Sequence, residues 1–245
     1  MTHGFIILRH ARNETDDLLG KRCFESIREH HPNEKIIIID DHSVIQNPTY
    51  IDANTEIIHS ELQPGVGELT TWYYAYTRKL FDVVCVLHDS MALTQPIDFV
   101  RHQNKFLWQF EGYHLLSKHN ERFFSSLLRG GNSNWDLMVR DALKWKGCFG
   151  VCGIFEWTTL ASLHYVFEIF DIDYLQKIKT RTDRMAIERV FGWCCYSLGY
   201  NESVFNDIHY YPMAFYETPN EIALQKMNND VINKVFPIVK IWRGR

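Results

Sequence analysis

Three polar groups follow apolar runs early in the chain: Arg9-His10 after Phe5–Leu8, Asp40-Asp41 after Ile36–Ile39, and His88-Asp89-Ser90 after Val83–Leu87. A carboxylate at such a point can accept hydrogen bonds from a ribose hydroxyl or from the N–H of a base. Asp40 and Asp41 are adjacent, so their charges repel and each needs a partner. Arg9 is a cation that would face the same nucleotide. His88-Asp89-Ser90 sets an imidazole beside a carboxylate. That pair suits Mg²⁺ or Mn²⁺, which would neutralise a diphosphate and assist its departure. The structural alternative for Asp40, Asp41 and Asp89 is to cap turns, with His88 packed locally. A His-Asp pair also marks helical metal-dependent phosphohydrolases. Those draw further ligands from helices, whereas this pair ends a strand.

Other groups extend the set. Gly65-Val66-Gly67-Glu68 precedes a helix and would offer backbone N–H groups to a phosphate, with Gly67 the nucleotide-binding candidate. It lacks the Lys of a P-loop and the third Gly of a dinucleotide fingerprint, so an ordinary glycine turn is the alternative. Asp183 stands at the start of a later helix, where a carboxylate is favoured in any case. Arg184 and Glu188 are four apart on that helix and have the spacing of a surface ion pair. A carboxylate presented over the sheet edge there would serve as a general base toward an acceptor hydroxyl. Asp183 is the first candidate and Glu188 the second, with Glu156, at the end of a glycine-broken strand, a rival. His209 is a candidate to return to a metal or diphosphate, against a plain surface role. Lys240, Arg243 and Arg245 form a basic end that would supply cations.

These groups act together only if the fold gathers them. Phe5–Leu8, Ile36–Ile39 and Val83–Leu87 read as buried strands, and Glu56–His59 as a weaker one. Between them, Asn13 caps a helix carrying Leu19, Cys23 and Ile27, and a second helix carries Leu69, Trp72, Tyr73, Tyr76 and Leu80. Apolar strands alternating with helices specify a parallel sheet covered on both faces. Ligands of such sheets bind beyond the carboxyl ends of the strands, so the three polar exits should converge on one rim. Further on, Lys105–Leu116 contains a strand, read as antiparallel, and Gly130–Asn134 is a polar loop. Cys148–Phe155 is a strand broken by Gly150 and Gly153. Helices follow through Leu160–Phe170, from about Thr182 to Gly199, and over 219–235. No repeat or low-complexity linker divides the chain. The expectation is one α/β domain with a mixed, mostly parallel sheet flanked by helices: a nucleotide-binding half at about 1–100, an acceptor-side half at about 101–210, and a tail at 211–245.

The formal charge of −4 and scattered cations speak against a nucleic-acid partner. Apolar residues make up 46% of the 245, enough for a sizeable core. The six cysteines lie mostly in apolar runs without a CxxC pair, which predicts reduced structural thiols and a cytoplasmic setting. The apolar stretch before Arg9 covers only about five residues. No segment approaches the roughly 18 that a membrane span requires.

The runs IIIIDDHS, PGVGELTTWYYA and VVCVLHDSMAL together resemble the nucleotide-binding half of GT-A glycosyltransferases. On that resemblance Asp40 and Asp41 take the place of the nucleotide carboxylates. His88-Asp89-Ser90 occupies the place of the DxD motif, which binds a metal and the sugar diphosphate. FGVCGIFEWTTLASL and TDRMAIERVFG resemble the acceptor-side strand and helix of family-2-like members of bacterial or viral soluble type. There a carboxylate near the helix start is the base of an inverting displacement, and Asp183 matches it first, Glu188 second. The resemblance covers about 4–199. It implies a nucleotide-sugar donor, a glycan, lipid-linked or protein acceptor, and Mn²⁺ or Mg²⁺ held by Asp89, with His88 or His209 as further ligands. The triplet departs from the motif by carrying one carboxylate, which leaves His88 or cationic residues to complete the site. A nucleotidyltransferase is a second reading, although the first strand lacks its glycine run. A non-catalytic nucleotide- or sugar-binding module is a third.

Overall fold

In the computed structural model, the four consecutive isoleucines Ile36–Ile39 are wholly shielded from solvent. Only a strand covered on both faces permits that. The structure describes residues 1–111, 118–126, 129–210, 214–216 and 237–242. The helix expected over 219–235, Arg243 and Arg245 lie outside these residues.

The chain opens with β1 (His3–Arg9), α1 (Glu14–His30), β2 (Lys35–Asp40), β3 (Thr55–His59), α2 (Leu69–Thr77) and β4 (Val83–His88). Next come β5 (Met91–Leu93), α3 (Phe99–His102), β6 (Lys105–Phe106), β7 (Gln109–Glu111), α4 (Lys118–Ser125) and α5 (Gly131–Arg140). The remainder comprises β8 (Lys146–Cys148), β9 (Gly153–Glu156), α6 (Trp157–Phe167), α7 (Ile172–Leu175), α8 (Arg181–Ser197), β10 (Ala214–Tyr216) and β11 (Ile238–Trp242). Asn13 caps α1 by accepting the N–H of Asp16 at 3.0 Å.

The central sheet has the order β3-β2-β1-β4-β9-β6. β1, β2, β3 and β4 run parallel, as the alternation of apolar strands and helices predicts, and β9 and β6 add an antiparallel edge. Side chains alternate across it. Ile6, Ile37, Ile39, Val84 and Val86 pack under α2, α6 and α8, through Trp72, Leu160, Val190 and Phe191 among others. Phe5, Ile7, Ile36, Ile38, Cys85 and Leu87 pack against Cys23, Phe24 and Ile27 of α1. A second sheet, β10-β11-β5, begins just past the end of β4. All six cysteines are buried and none is disulfide-bonded. No helix of the described residues is long and apolar enough to cross a membrane.

Three segments differ from expectation. The strand read from Lys105 is split into β6 and β7, which belong to different sheets, and its end lies outside the described residues. Gly130–Asn134, read as a loop, instead opens α5. Burial of Met138, whose carbonyl accepts the indole N–H of Trp145 at 2.9 Å, outweighs the local turn composition. Cys148–Phe155 is divided by a tight turn at Phe149–Val151, where Gly150 takes φ 62°. The turn redirects the chain from β8, paired with β7, to β9, paired with β4 and β6.

α8 approaches β8 closely because residue 192 is glycine. A Cβ there would lie 2.2 Å from the Lys146 carbonyl oxygen and 2.9 Å from Gly147 Cα. Alanine at an ordinary helical position gains about 0.5–1 kcal/mol over glycine. Here overlap with backbone, which cannot rotate away, should dominate and cost about 1–3 kcal/mol. Gly192→Ala is therefore expected to lower the urea midpoint, and an unchanged or raised midpoint would show that α8 can retreat freely.

Candidate functional site

Strand register gathers the polar exits. Arg9 pairs with Asp40 across β1 and β2, and Leu8 pairs with His88 across β1 and β4. The chain winds from β1 outward to β2 and β3, then returns to the other side of β1 as β4. A reversal of this kind opens a crevice at the carboxyl ends of the strands. A cavity of about 320 Å³ lies there. Its floor is made by Leu8, His10, Asp41, His88, Asp89 and Ser90. Gly65, Gly67 and Glu68 form one wall, and Phe149, Gly150 and Lys240 another. Arg181, Arg184, Met185 and Glu188 form the third. Their spacing of three, four and seven residues puts them on one face of α8.

The adjacent aspartates part company. Arg9, 1% exposed, donates to Asp40, to Asp17 Oδ1 at 2.7 Å and to the Ile45 carbonyl at 2.6 Å. Asp40 also accepts the N–H of Ser43 at 3.0 Å. Arg9 and Asp40 thus form an internal ion pair beneath the cavity and do not line it. Asp41 turns into the cavity, where its Oδ1 is buried with no hydrogen-bond partner among the described residues. Burial raises the pKa of its carboxyl, opposed by His10, His42 and Arg184.

At the end of β4, Asp89 Oδ2 accepts the backbone N–H of His10 at 2.8 Å, which ties the exits of β1 and β4 together. His88 Nδ1 lies 3.3 Å from Lys240 Nζ. Burial lowers the pKa of Lys240, opposed by Cys152, Glu68, Glu188 and Asp89. Among the described residues, no group of three or more His, Cys, Asp or Glu side chains is gathered in a way that could hold a metal. His209 does not line the cavity. It is exposed, with Nδ1 2.9 Å from Asp207 Oδ1.

The glycine loop serves the α8 wall. Gly67 takes φ 65°, and a Cβ on it would lie 2.3 Å from Arg184 Cδ. The loop thereby lets the arginine stem cross it. Arg184 stands 3.8 Å from Glu68, in place of the expected pairing with Glu188. Glu68 is the N-cap of α2, and its carboxyl is also shifted upward by burial.

The base candidates separate cleanly. Asp183 accepts the N–H groups of Lys179 and Thr180 at 2.8 and 2.7 Å, and Thr180 caps the Asp183 N–H in return. That reciprocal capping box closes the start of α8. Glu156 sits at the opposite rim, because antiparallel β9 sets it beside Val83 at the start of β4. Its carboxylate accepts from Asn104 at 2.9 Å. Glu188 alone of the three faces the cavity. Its Oε1 accepts the Gly150 N–H at 2.7 Å. Burial first, and Glu68 second, push its carboxyl up to about 8.

The sequence singles out Asp41, Gly67, His88, Asp89, Ser90 and Glu188 in this cavity, with Glu68 only as part of the glycine loop, and does not assign Arg181, Arg184 or Phe149 to it. The helical spacing from Arg181 to Glu188 was the available signal for the arginines.

A carboxyl whose pKa is higher folded than unfolded stabilises the fold below its unfolded pKa and loses that contribution as pH rises through the folded value. For Glu188 the loss runs from about pH 4.5 to about pH 8. Glu188→Gln, which keeps the neutral form, should match the wild type in urea stability near pH 4. It should be more stable by about 1–2 kcal/mol near pH 8, less than the whole shift because the carboxyl opens onto a cavity that admits water. Parallel stability curves across that range would contradict the raised pKa. Comparison with protein-family models and with characterised proteins returns no match for this chain.

Proposed function

We propose that this chain is a glycosyltransferase that takes its sugar from a nucleoside-diphosphate donor, in a GT-A-like single domain. The observation that carries the reading is the buried Asp41 oxygen that has no hydrogen-bond partner among the described residues, at a strand-exit cavity that also holds cations and a carboxyl of raised pKa. A buried acceptor without a donor costs about 1–3 kcal/mol, a cost that a ligand N–H or hydroxyl removes on binding. A nucleoside offers both.

The chemistry follows from the walls. Asp41 accepts a hydrogen bond from the nucleoside. Arg181, Arg184 and Lys240 meet the diphosphate with charge fixed before the reaction begins. The acceptor hydroxyl attacks the anomeric carbon. Its oxygen forms the new bond as the bond from that carbon to the phosphate oxygen breaks, and the electron pair leaves with the nucleoside diphosphate. Glu188 takes the hydroxyl proton. Attack from the face opposite the leaving group inverts the configuration. A carboxyl that titrates at about 8 binds a proton more firmly than an ordinary carboxylate and still ionises within the working range. It must be deprotonated to act, so turnover should climb with pH and level off above about pH 8.

Calorimetry with UDP, GDP, CDP and dTDP, followed by nucleotide-sugar turnover, tests the reading. One nucleotide should bind, and Asp41→Asn should weaken it at least about tenfold, or 1.4 kcal/mol. Glu188→Gln should keep nucleotide binding and lose about 10²–10⁴ in turnover. A folded protein that binds none of the four nucleotides would overturn the proposal, and binding without turnover of any nucleotide sugar would reduce it to a nucleotide-binding module.

A further inference from the structure

Lys240 is remote in sequence from the His88-Asp89-Ser90 turn, yet strand pairing sets it there. β11 runs antiparallel to β5, with Lys240 opposite Met91, and the Ile241 N–H donates to the Ser90 carbonyl at 2.9 Å. The ammonium lies 3.3 Å from His88 Nδ1 and 5.5 Å from the centre of the Phe149 ring, and the residue is 3% exposed. A lysine so buried is held by backbone register on one side and by an aromatic face on the other, and the residue lines the cavity.

The same contacts make the triplet a poor fit for a divalent cation. The lone pair that His88 Nδ1 could offer a metal already faces an ammonium, and a divalent ion at that nitrogen would be repelled by Lys240 at short range. Asp89, the one carboxylate of the triplet, has Oδ2 committed to the His10 backbone N–H.

We propose that the Lys240 ammonium, and not a divalent cation, supplies the positive charge that receives the donor's diphosphate at the His88-Asp89-Ser90 turn. Arg181 and Arg184 line the same cavity. The inference rests on the nucleotide-sugar reading above. In the transfer step, the electron pair released as the bond from the anomeric carbon to the phosphate oxygen breaks stays on the diphosphate. Lys240 stabilises that charge without exchanging a ligand.

The test is calorimetric titration of the full chain in EDTA, with the four nucleoside diphosphates and separately with inorganic pyrophosphate. The proteins are wild type, Lys240→Met and Lys240→Arg, each checked by thermal melting. The wild type should bind one nucleotide in EDTA. Lys240→Met should bind it at least tenfold more weakly, and Lys240→Arg should stay within about threefold of wild type, a rescue by charge that a purely structural lysine would not show. Wild-type binding that requires added Mn²⁺ or Mg²⁺, or undiminished affinity in Lys240→Met, would overturn the inference while leaving the nucleotide-sugar reading intact. Pyrophosphate binding that depends on Lys240, without binding of any nucleotide, would keep the anion site and overturn the nucleotide-sugar reading. Binding of neither ligand to the folded wild type would overturn both.

Discussion

A single guanidinium, out of reach of water, fastens the exits of two strands and the first turn of a helix to one point. Arg9 ends β1, Asp40 ends β2 and Asp17 lies in α1, and the Ile45 carbonyl brings in the following loop. Such a cation is tolerable inside a protein only while its partners remain. Removing one from a buried pair leaves an uncompensated charge and costs about 3–5 kcal/mol. The rim of the cavity rests on this knot. Because Arg9 engages Asp40, the next residue emerges on the far side of the turn, and Asp41 turns into the cavity.

A second chain of contacts holds the opposite wall. The Trp72 indole donates to the Val151 carbonyl at 2.7 Å, which fixes the turn containing Gly150. Gly150 then donates to Glu188. A residue with a Cβ at that point would bring the atom to 3.0 Å from His88 Cε1, in a backbone conformation that side chains rarely adopt. One glycine therefore orients the carboxyl of α8 and leaves space for the imidazole of β4. The rim rests on strands of the central sheet and Glu188 on a helix that covers it, which favours a cavity of fixed shape over one assembled by a ligand.

Much of this was legible in the residues themselves. Strands buried on both faces read as unbroken apolar runs, so β1, β2 and β4 stand out, and with them the rim where their polar residues meet. What adjacent residues do at a strand exit is harder to read. Asp40 and Asp41 look equivalent until the partner of each is known, and Arg9 selects between them only in three dimensions. Asp183 carried a local signature of its structural role. Thr180 and Asp183 have the spacing of a capping box, which turns the carboxylate back on the helix start and away from solvent or ligand. Lys240 was visible as part of a basic end. Its position depends on the pairing of β11 with β5, a contact between distant segments that no local pattern encodes.

The six buried thiols give the molecule a built-in record of its own breathing. Cys23, Cys85 and Cys152 lie in the core on the α1 side of the sheet, whereas Cys148, Cys194 and Cys195 lie in the core beneath α8. Burial raises the pKa of all six, so the reactive thiolate is scarce while the fold is closed. An alkylating reagent can reach them only through openings of the structure. The order in which the two groups are modified reports which face of the sheet lets go first.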